Sequence, residues 1–281
     1  MTKLIQNINE MKQTIKTLKQ QNKKIGFVPT MGYLHKGHLS LVECSKKKND
    51  ITVVSIFVNP TQFGENEDFD KYPRDLERDL KLCEEAGVDY VFAPKVYEIY
   101  PEGYSTYVIM ETLTDKLCGK YRPGHFKGVL TVVNKLFNIV QPDNAYFGEK
   151  DYQQLIIIKK MVEDLNMNVN VVGCPIIREE DGLAMSSRNK YLSEEERKSA
   201  LSLSKALFLA KELFEKGETN PQKIKEEMRK LILSYPLVKE IQYIEIVDPK
   251  TLEEKQKVEK GDRVLLAVFV GDTRLIDNIE L

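Results

Sequence analysis

The stretch Ile25-Gly26-Phe27-Val28-Pro29-Thr30-Met31-Gly32-Tyr33-Leu34-His35-Lys36-Gly37-His38-Leu39 decides how the rest of the chain is read. Ile25 to Val28 is a short apolar run, Pro29 to Gly37 is a loop, and an amphipathic stretch with Leu39 and Val42 opens near His38. The order strand, loop, helix sets helix N-terminal N–H groups where they can face an anion. Two of the three histidines, His35 and His38, fall in this loop, and Gly37 between them lets the backbone approach a ligand. Imidazoles so placed can donate to the oxygens of a nucleoside triphosphate, where charge builds when a carboxylate attacks the α-phosphorus. An arbitrary His-x-Gly-His would be two helix-start residues, one packed and one solvated; the strand before and the helix after favour the phosphate reading.

Outward from this point the pattern alternates. Met11, Ile15 and Leu18 mark an earlier amphipathic helix. Ile51 to Val58 is a β-branched run suited to a strand buried on both faces of a parallel sheet. Leu76, Leu80 and Cys83 line a helix ended by Gly87, and Val88 to Ala93 is a strand before Pro94. Helix is expected over 128–140 and 153–165, and strand over 145–147 and 169–172. The alternation predicts an α/β fold, a doubly wound, Rossmann-like parallel sheet, over residues 1–175.

The pattern then changes. Ser193 with Glu196 forms a capping box for a long helix ending near Gly217, Pro221 opens another, and strands are expected over 241–247 and 264–270. A smaller C-terminal α+β domain is therefore expected over 176–281, with the Met185–Arg188 loop near its start. The charged run Arg178 to Gly182 is the nearest thing to a linker.

Composition narrows the function. The 281 residues carry 42 basic and 43 acidic side chains, so no overall basic field exists for nucleic acid or an anionic membrane surface. No aromatic stacking platform or basic stripe suggests RNA. No apolar run approaches the roughly 18 residues that span a bilayer. Cys44, Cys83, Cys118 and Cys174 are isolated, which fits buried or half-buried thiols in a reduced cytoplasmic setting better than disulfides or a zinc site.

The first motif resembles the HIGH signature of the nucleotidyltransferase superfamily, and the string Pro29 to His38 resembles the pantothenate synthetase family in particular. Four further blocks are similar to that family, in the same order: Phe57 to Gly64, Tyr121 to Phe126, Phe147 to Gln154 and Met185 to Asn189. The last resembles the superfamily's KMSKS loop in its serine-arginine form; elsewhere Ser-Ser-Arg is an ordinary polar loop. Other nucleotidyltransferases, which move AMP or CMP onto a phosphorylated acceptor, share the histidines without calling for the Asn59–Gly64 and Gly148–Gln154 blocks together.

The resemblance implies an ATP-dependent ligase that joins pantoate to β-alanine through an acyl-adenylate, with Mg2+ accompanying the phosphates. It implies that ATP meets Met31, Gly32, Tyr33, Leu34, His35, Lys36, Gly37, His38, Gly148, Glu149, Lys150, Asp151, Ile177, Met185, Ser186, Ser187 and Arg188. Of these, His38, His35, Lys150, Ser187 and Arg188 carry the chemistry, with His38 as proton donor. Gln62 and Gln154 grip pantoate; an amide both donates and accepts, as a hydroxy acid demands. His125, in a turn ahead of a helix, is either a helix-start residue or a wall of that pocket. A cytoplasmic homodimer is the family's expected form.

Overall fold

The computed structural model describes residues 2–65 and 67–281. The elements run β1 (Lys3–Ile5), α1 (Ile8–Gln20), β2 (Ile25–Thr30), α2 (Lys36–Lys46), β3 (Ile51–Ile56), α3 (Leu76–Glu85), β4 (Tyr90–Phe92) and α4 (Val96–Ile99). There follow α5 (Leu117–Tyr121), α6 (His125–Val140), β5 (Asn144–Gly148), α7 (Tyr152–Asp164) and β6 (Asn170–Cys174). The chain closes with α8 (Glu194–Glu215), α9 (Pro221–Leu233), β7 (Val238–Val247), β8 (Arg263–Val270) and β9 (Thr273–Glu280). Two units emerge. The first takes residues up to Thr114, Arg122–Glu149 and Gln154–Pro175; the second takes Asp115–Tyr121, Lys150–Gln153 and Ile176–Leu281.

The first unit is the expected doubly wound fold. Its six strands are all parallel, in the order β1-β4-β3-β2-β5-β6. Phe27, Val28, Val53 and Val54 are fully buried, as strands covered by helices on both faces must be. The chain runs from β2 outward through β3 to β4 and returns on the other side of β2 as β5, so the winding reverses between β2 and β5. Crevices at the carboxyl ends of strands on either side of such a reversal are where this architecture receives ligands. The loops after β2 and β3 and the end of β5 all open there.

The second unit is a three-stranded antiparallel sheet, β7-β8-β9, with α8 and α9 sharing its core. Leu203, Leu207, Ile224, Met228, Ile244, Val264 and Val268 fill that core. The Ser193 capping box forms as the sequence implies: Glu196 N–H donates to Ser193 Oγ at 3.2 Å and Ser193 N–H to Glu196 Oε2 at 2.8 Å.

Several details differ from expectation. β1 and β9 are not among the expected strands, and α2 begins at Lys36, making His35 its N-cap and His38 its third residue. The charged run Arg178 to Gly182 is not a linker but a hairpin turn of the second unit, with a bridge between Arg178 and Ala184. Three of its charges are paired inside that unit: Arg178 pairs with Asp277 at 2.6 Å, and Arg197 holds Glu179 and Asp181, each at 2.7 Å. No helix among the described residues is long and apolar enough to cross a membrane.

Candidate active site

His35 is an unusual helix cap. Its backbone is extended, and its ring Nδ1 accepts the Gly37 N–H at 3.1 Å. The His38 ring reaches back in turn, its Nδ1 accepting the His35 N–H at 3.2 Å. Serine and glutamate play these parts in an ordinary capping box; here two imidazoles do so, with ring centroids 4.0 Å apart. An Nδ1 that accepts carries no proton, so this hydrogen-bond network assigns the proton of each neutral ring to Nε2. Capping thus sets the tautomer that leaves the proton of each neutral ring on Nε2.

The loop ahead of the cap is held in a demanding shape. Gly32 and Tyr33 both lie in the left-handed region, at φ 83° and 51°, which a tyrosine adopts only when its surroundings compel it. Asp79 of α3 supplies that compulsion, accepting Tyr33 N–H at Oδ2 (2.6 Å) and Leu34 N–H at Oδ1 (2.8 Å). Arg78 closes the other side: Nη2 donates to Leu34 O at 2.9 Å and the guanidinium lies 4.8 Å from the Tyr33 ring centre. Burial pushes the Asp79 carboxyl above its ordinary range, against the pull of the Leu34 and Tyr33 N–H groups and of Arg78. Sequence reasoning misses both Asp79 and Arg78.

Gln62 ends a 3-10 turn, Pro60–Gln62, directly after β3. Asn59 beneath it is 1% exposed and is a hub: Nδ2 donates to Gln62 Oε1 at 3.0 Å and to Gly128 O at 3.1 Å, while Oδ1 accepts from Thr61 Oγ1 and Tyr100 OH. Gln62 Nε2 sits 3.3 Å from Met31 Sδ, which ties this turn to the loop after β2. His125 supports the turn from α6: Nδ1 donates to Gln62 O at 2.8 Å, and Nε2 accepts from Arg122 Nη1 at 3.1 Å. Its tautomer is therefore opposite to that of His35 and His38. Arg122 in turn holds Glu67 through two hydrogen bonds of 2.6 and 2.5 Å. Burial works to raise the Glu67 carboxyl, but hydrogen bonding and charge from Arg122, aided by the Gly64 N–H, hold it below its usual value.

Of the remaining expected residues, Gly148 closes β5, and Gln154 is half-buried in α7. The neighbouring glutamine differs: Gln153 is buried, accepting Cys118 N–H at 3.0 Å and donating to Lys116 O at 2.8 Å. A cleft of about 380 Å3 within the first unit touches Met31, Gly32 and Asp79, and its wall carries Arg74 and Lys95 among apolar side chains. Neither Gln62 nor Gln154 lines it.

The second unit gathers the other expected residues. Lys150 lies in a 3-10 turn with Glu149 and Asp151, and its carbonyl accepts Asn278 Nδ2 at 2.9 Å. Met185 N–H donates to Ile177 O at 3.0 Å, pinning the base of the hairpin to the serine-arginine segment. Ser186 caps the turn Ser187–Tyr191 by accepting Arg188 N–H at 3.2 Å, and Ser187 is buried. Asp277, 3% exposed, sits among Arg178, the Asn278 N–H and the charge of Lys150; burial raises its carboxyl despite all three.

Known proteins align with the whole chain. A family model described as Pantoate-beta-alanine ligase matches residues 3–280. The pantothenate synthetase of Sulfurihydrogenibium sp. (strain YO3AOP1) is 64% identical over 277 residues, 99% of each chain. That of Caldicellulosiruptor saccharolyticus is 62% identical over 276 residues, 98% of each. The crystal structure of pantothenate synthetase from Thermus thermophilus superposes with a TM-score of 0.94 at 47% identity, covering 99% of each chain. Pantoate-beta-alanine ligase from Francisella tularensis, solved in complex with beta-gamma ATP and β-alanine, superposes at 0.82 with 37% identity, covering 100% of this chain and 98% of that one.

Proposed function

The chain belongs to the pantoate-beta-alanine ligase family, and on that premise we propose that it makes pantothenate, a coenzyme A precursor, from (R)-pantoate, β-alanine and ATP in two half-reactions. In the first, a pantoate carboxylate oxygen attacks the α-phosphorus, pyrophosphate leaves, and pantoyl-adenylate forms. In the second, the β-alanine amine attacks the acyl carbon, the amide bond forms, AMP leaves, and the amine's proton passes to solvent or base. The observation that carries this reading is the paired tautomer at the start of α2: two Nε2–H donors, set by capping, at the reversal point of a parallel sheet.

Each task has a residue suited to it. The Nε2–H groups of His35 and His38 stabilise charge on the phosphate oxygens, and His38 is the proton donor if a proton is passed. The loop from Met31 to Gly37, with Gly148 and Glu149, receives the nucleotide, and Gln62 and Gln154 grip the hydroxyl and carboxylate of pantoate. In the second unit, Lys150, Ser187 and Arg188 offer cations and a hydroxyl to the departing pyrophosphate. Asp151 and Ile177, with Met185 and Ser186, serve the ribose and adenine ends. A Mg2+ ion accompanying the triphosphate would supply charge neutralisation beside the cations of Lys150 and Arg188. A cytoplasmic homodimer, the form family membership implies, completes the reading.

The test is ATP–pyrophosphate exchange with D-pantoate present and no amine. Exchange that depends on pantoate establishes adenylation of that acid; none, in folded protein that binds ATP, points to a nucleotidyltransferase with a phosphorylated acceptor or to a step order that requires the amine first.

A further inference from the structure

We propose that Asp79 and Arg78 are positioning residues for ATP, holding the Gly32-Tyr33-Leu34 loop in the one shape that presents the α2 cap to the nucleotide. The proposal rests on the reading that the His35–His38 helix start receives the triphosphate. Tyr33 and Leu34 immediately precede His35, so the planes of their peptides set where α2 begins and how its capped N-terminus is aimed. Both N–H groups of that pair end on one carboxylate, one on each oxygen, and the Leu34 carbonyl ends on Arg78.

Three features separate this from ordinary packing. First, Asp79 occupies the buried face of α3 with Cys83, a position that an apolar residue would fill at lower desolvation cost. Second, the loop cannot relax towards a commoner conformation without losing these contacts, since Gly32 and Tyr33 have left-handed backbones side by side. Third, the clasp is fitted to the glycine: a Cβ at Gly32 would meet Asp79 Oδ2 at 3.0 Å and Ile56 Cγ2 at 2.9 Å. Arg78 adds a planar face against Tyr33, so the tyrosine is gripped at its backbone and at its ring.

The experiment compares Asp79→Asn and Arg78→Gln with wild type, measuring kcat and KM for ATP and for pantoate, the calorimetric Kd for ATP, and Tm. Asparagine keeps one acceptor and turns an amide N–H2 towards a backbone donor, so one of the two loop bonds is lost. The expected result is a ten- to hundredfold fall in kcat/KM for ATP, roughly the effect of an ångström-scale misplacement, with Tm held and the KM for pantoate changed less. Arg78→Gln, at a partly exposed position that does not threaten folding, moves the ATP parameters in the same direction by a smaller factor. Wild-type kcat/KM for ATP in Arg78→Gln, together with an Asp79→Asn loss that merely tracks its unfolded fraction, overturns the proposal. If wild type shows no pantoate-dependent exchange and makes no pantothenate when β-alanine is added, the proposed reaction fails by itself, and the clasp is then judged on the Kd for ATP alone: a weakened Kd supports it and an unchanged one sinks it.

Discussion

Gly128 of α6 lies so close to the turn after β3 that a Cβ in its place would stand 2.5 Å from the Thr61 carbonyl carbon and 2.6 Å from the Gln62 nitrogen. These are backbone atoms, which cannot swing aside as a flexible side chain can. Gly128→Ala must therefore displace the Pro60–Gln62 turn or α6, and with it the Asn59 hydrogen bond to Gly128 O. The expected outcome is a loss of about 1–3 kcal/mol of stability from overpacking and a raised KM for pantoate. Calorimetry and steady-state kinetics check it; wild-type values in both would show that the turn yields freely.

Replacements of His38 can separate capping from chemistry. Asparagine offers an acceptor where Nδ1 stands but nothing at Nε2, whereas glutamine's amide reaches towards the Nε2 position. His38→Asn is expected to keep its Tm and lose roughly a hundredfold or more in kcat, the scale of one lost transition-state donor. His38→Gln should retain more activity with a weaker cap. Equal activities in the two variants would count against an Nε2–H donor.

Glu67 and Arg122 make stability depend on acid. Because Arg122 holds the Glu67 carboxyl below its ordinary value of 4.5, the pair's contribution is fully present above that value and is lost as pH falls through the folded-state value. Both side chains are partly exposed, so the contribution is modest, about 1 kcal/mol. Thermal melts of wild type and Glu67→Gln across the acid range should converge at low pH and separate towards neutrality. Parallel curves at every pH would show that the charge on Glu67 is irrelevant.

Thiol reactivity should divide the cysteines. Burial pushes Cys83 and Cys174 up to about 12, with Asp79 adding to the first and Cys44 to the second. At mildly alkaline pH only about one thiol in ten thousand at such a site is thiolate, and access is blocked as well. Iodoacetamide should modify partly exposed Cys44 in the native protein and reach Cys83 and Cys174 only after denaturation. Mass spectrometry of the native reaction would contradict this if Cys83 or Cys174 were labelled as fast as Cys44.

The parallel sheet was legible because its strands are β-branched runs buried on both faces, such as Ile51–Ile56, and such runs need no partner to be recognised. β1 has only three residues, too few to show a period, and its strand character comes from pairing with β4. β9 hid because two buried positions on it are Asp277 and Asn278, polar residues whose partners, Arg178 and Lys150, are far away in sequence. The histidine loop was legible from its glycines and its place between strand and helix, but its tautomers were not, since they depend on which backbone N–H each ring meets. Asn59 and Asp79 were missed for a shared reason. Each looks locally like a turn or a helix-surface residue, and each acts through contacts with distant segments. For Asp79 one signal was present: it shares the apolar stripe of Leu76, Leu80 and Cys83, where a carboxylate needs a reason to be.

The carboxylate behind the Gly32-Tyr33-Leu34 loop is under two opposed demands. Burial disfavours its charged form, yet the same carboxylate satisfies the Tyr33 and Leu34 N–H groups, which an apolar side chain at position 79 would leave without that partner. A library grown on the need for pantothenate should keep aspartate there, while one screened for surviving heat alone weighs the desolvation cost against the two backbone hydrogen bonds. Directed evolution of this scaffold would meet that conflict on α3.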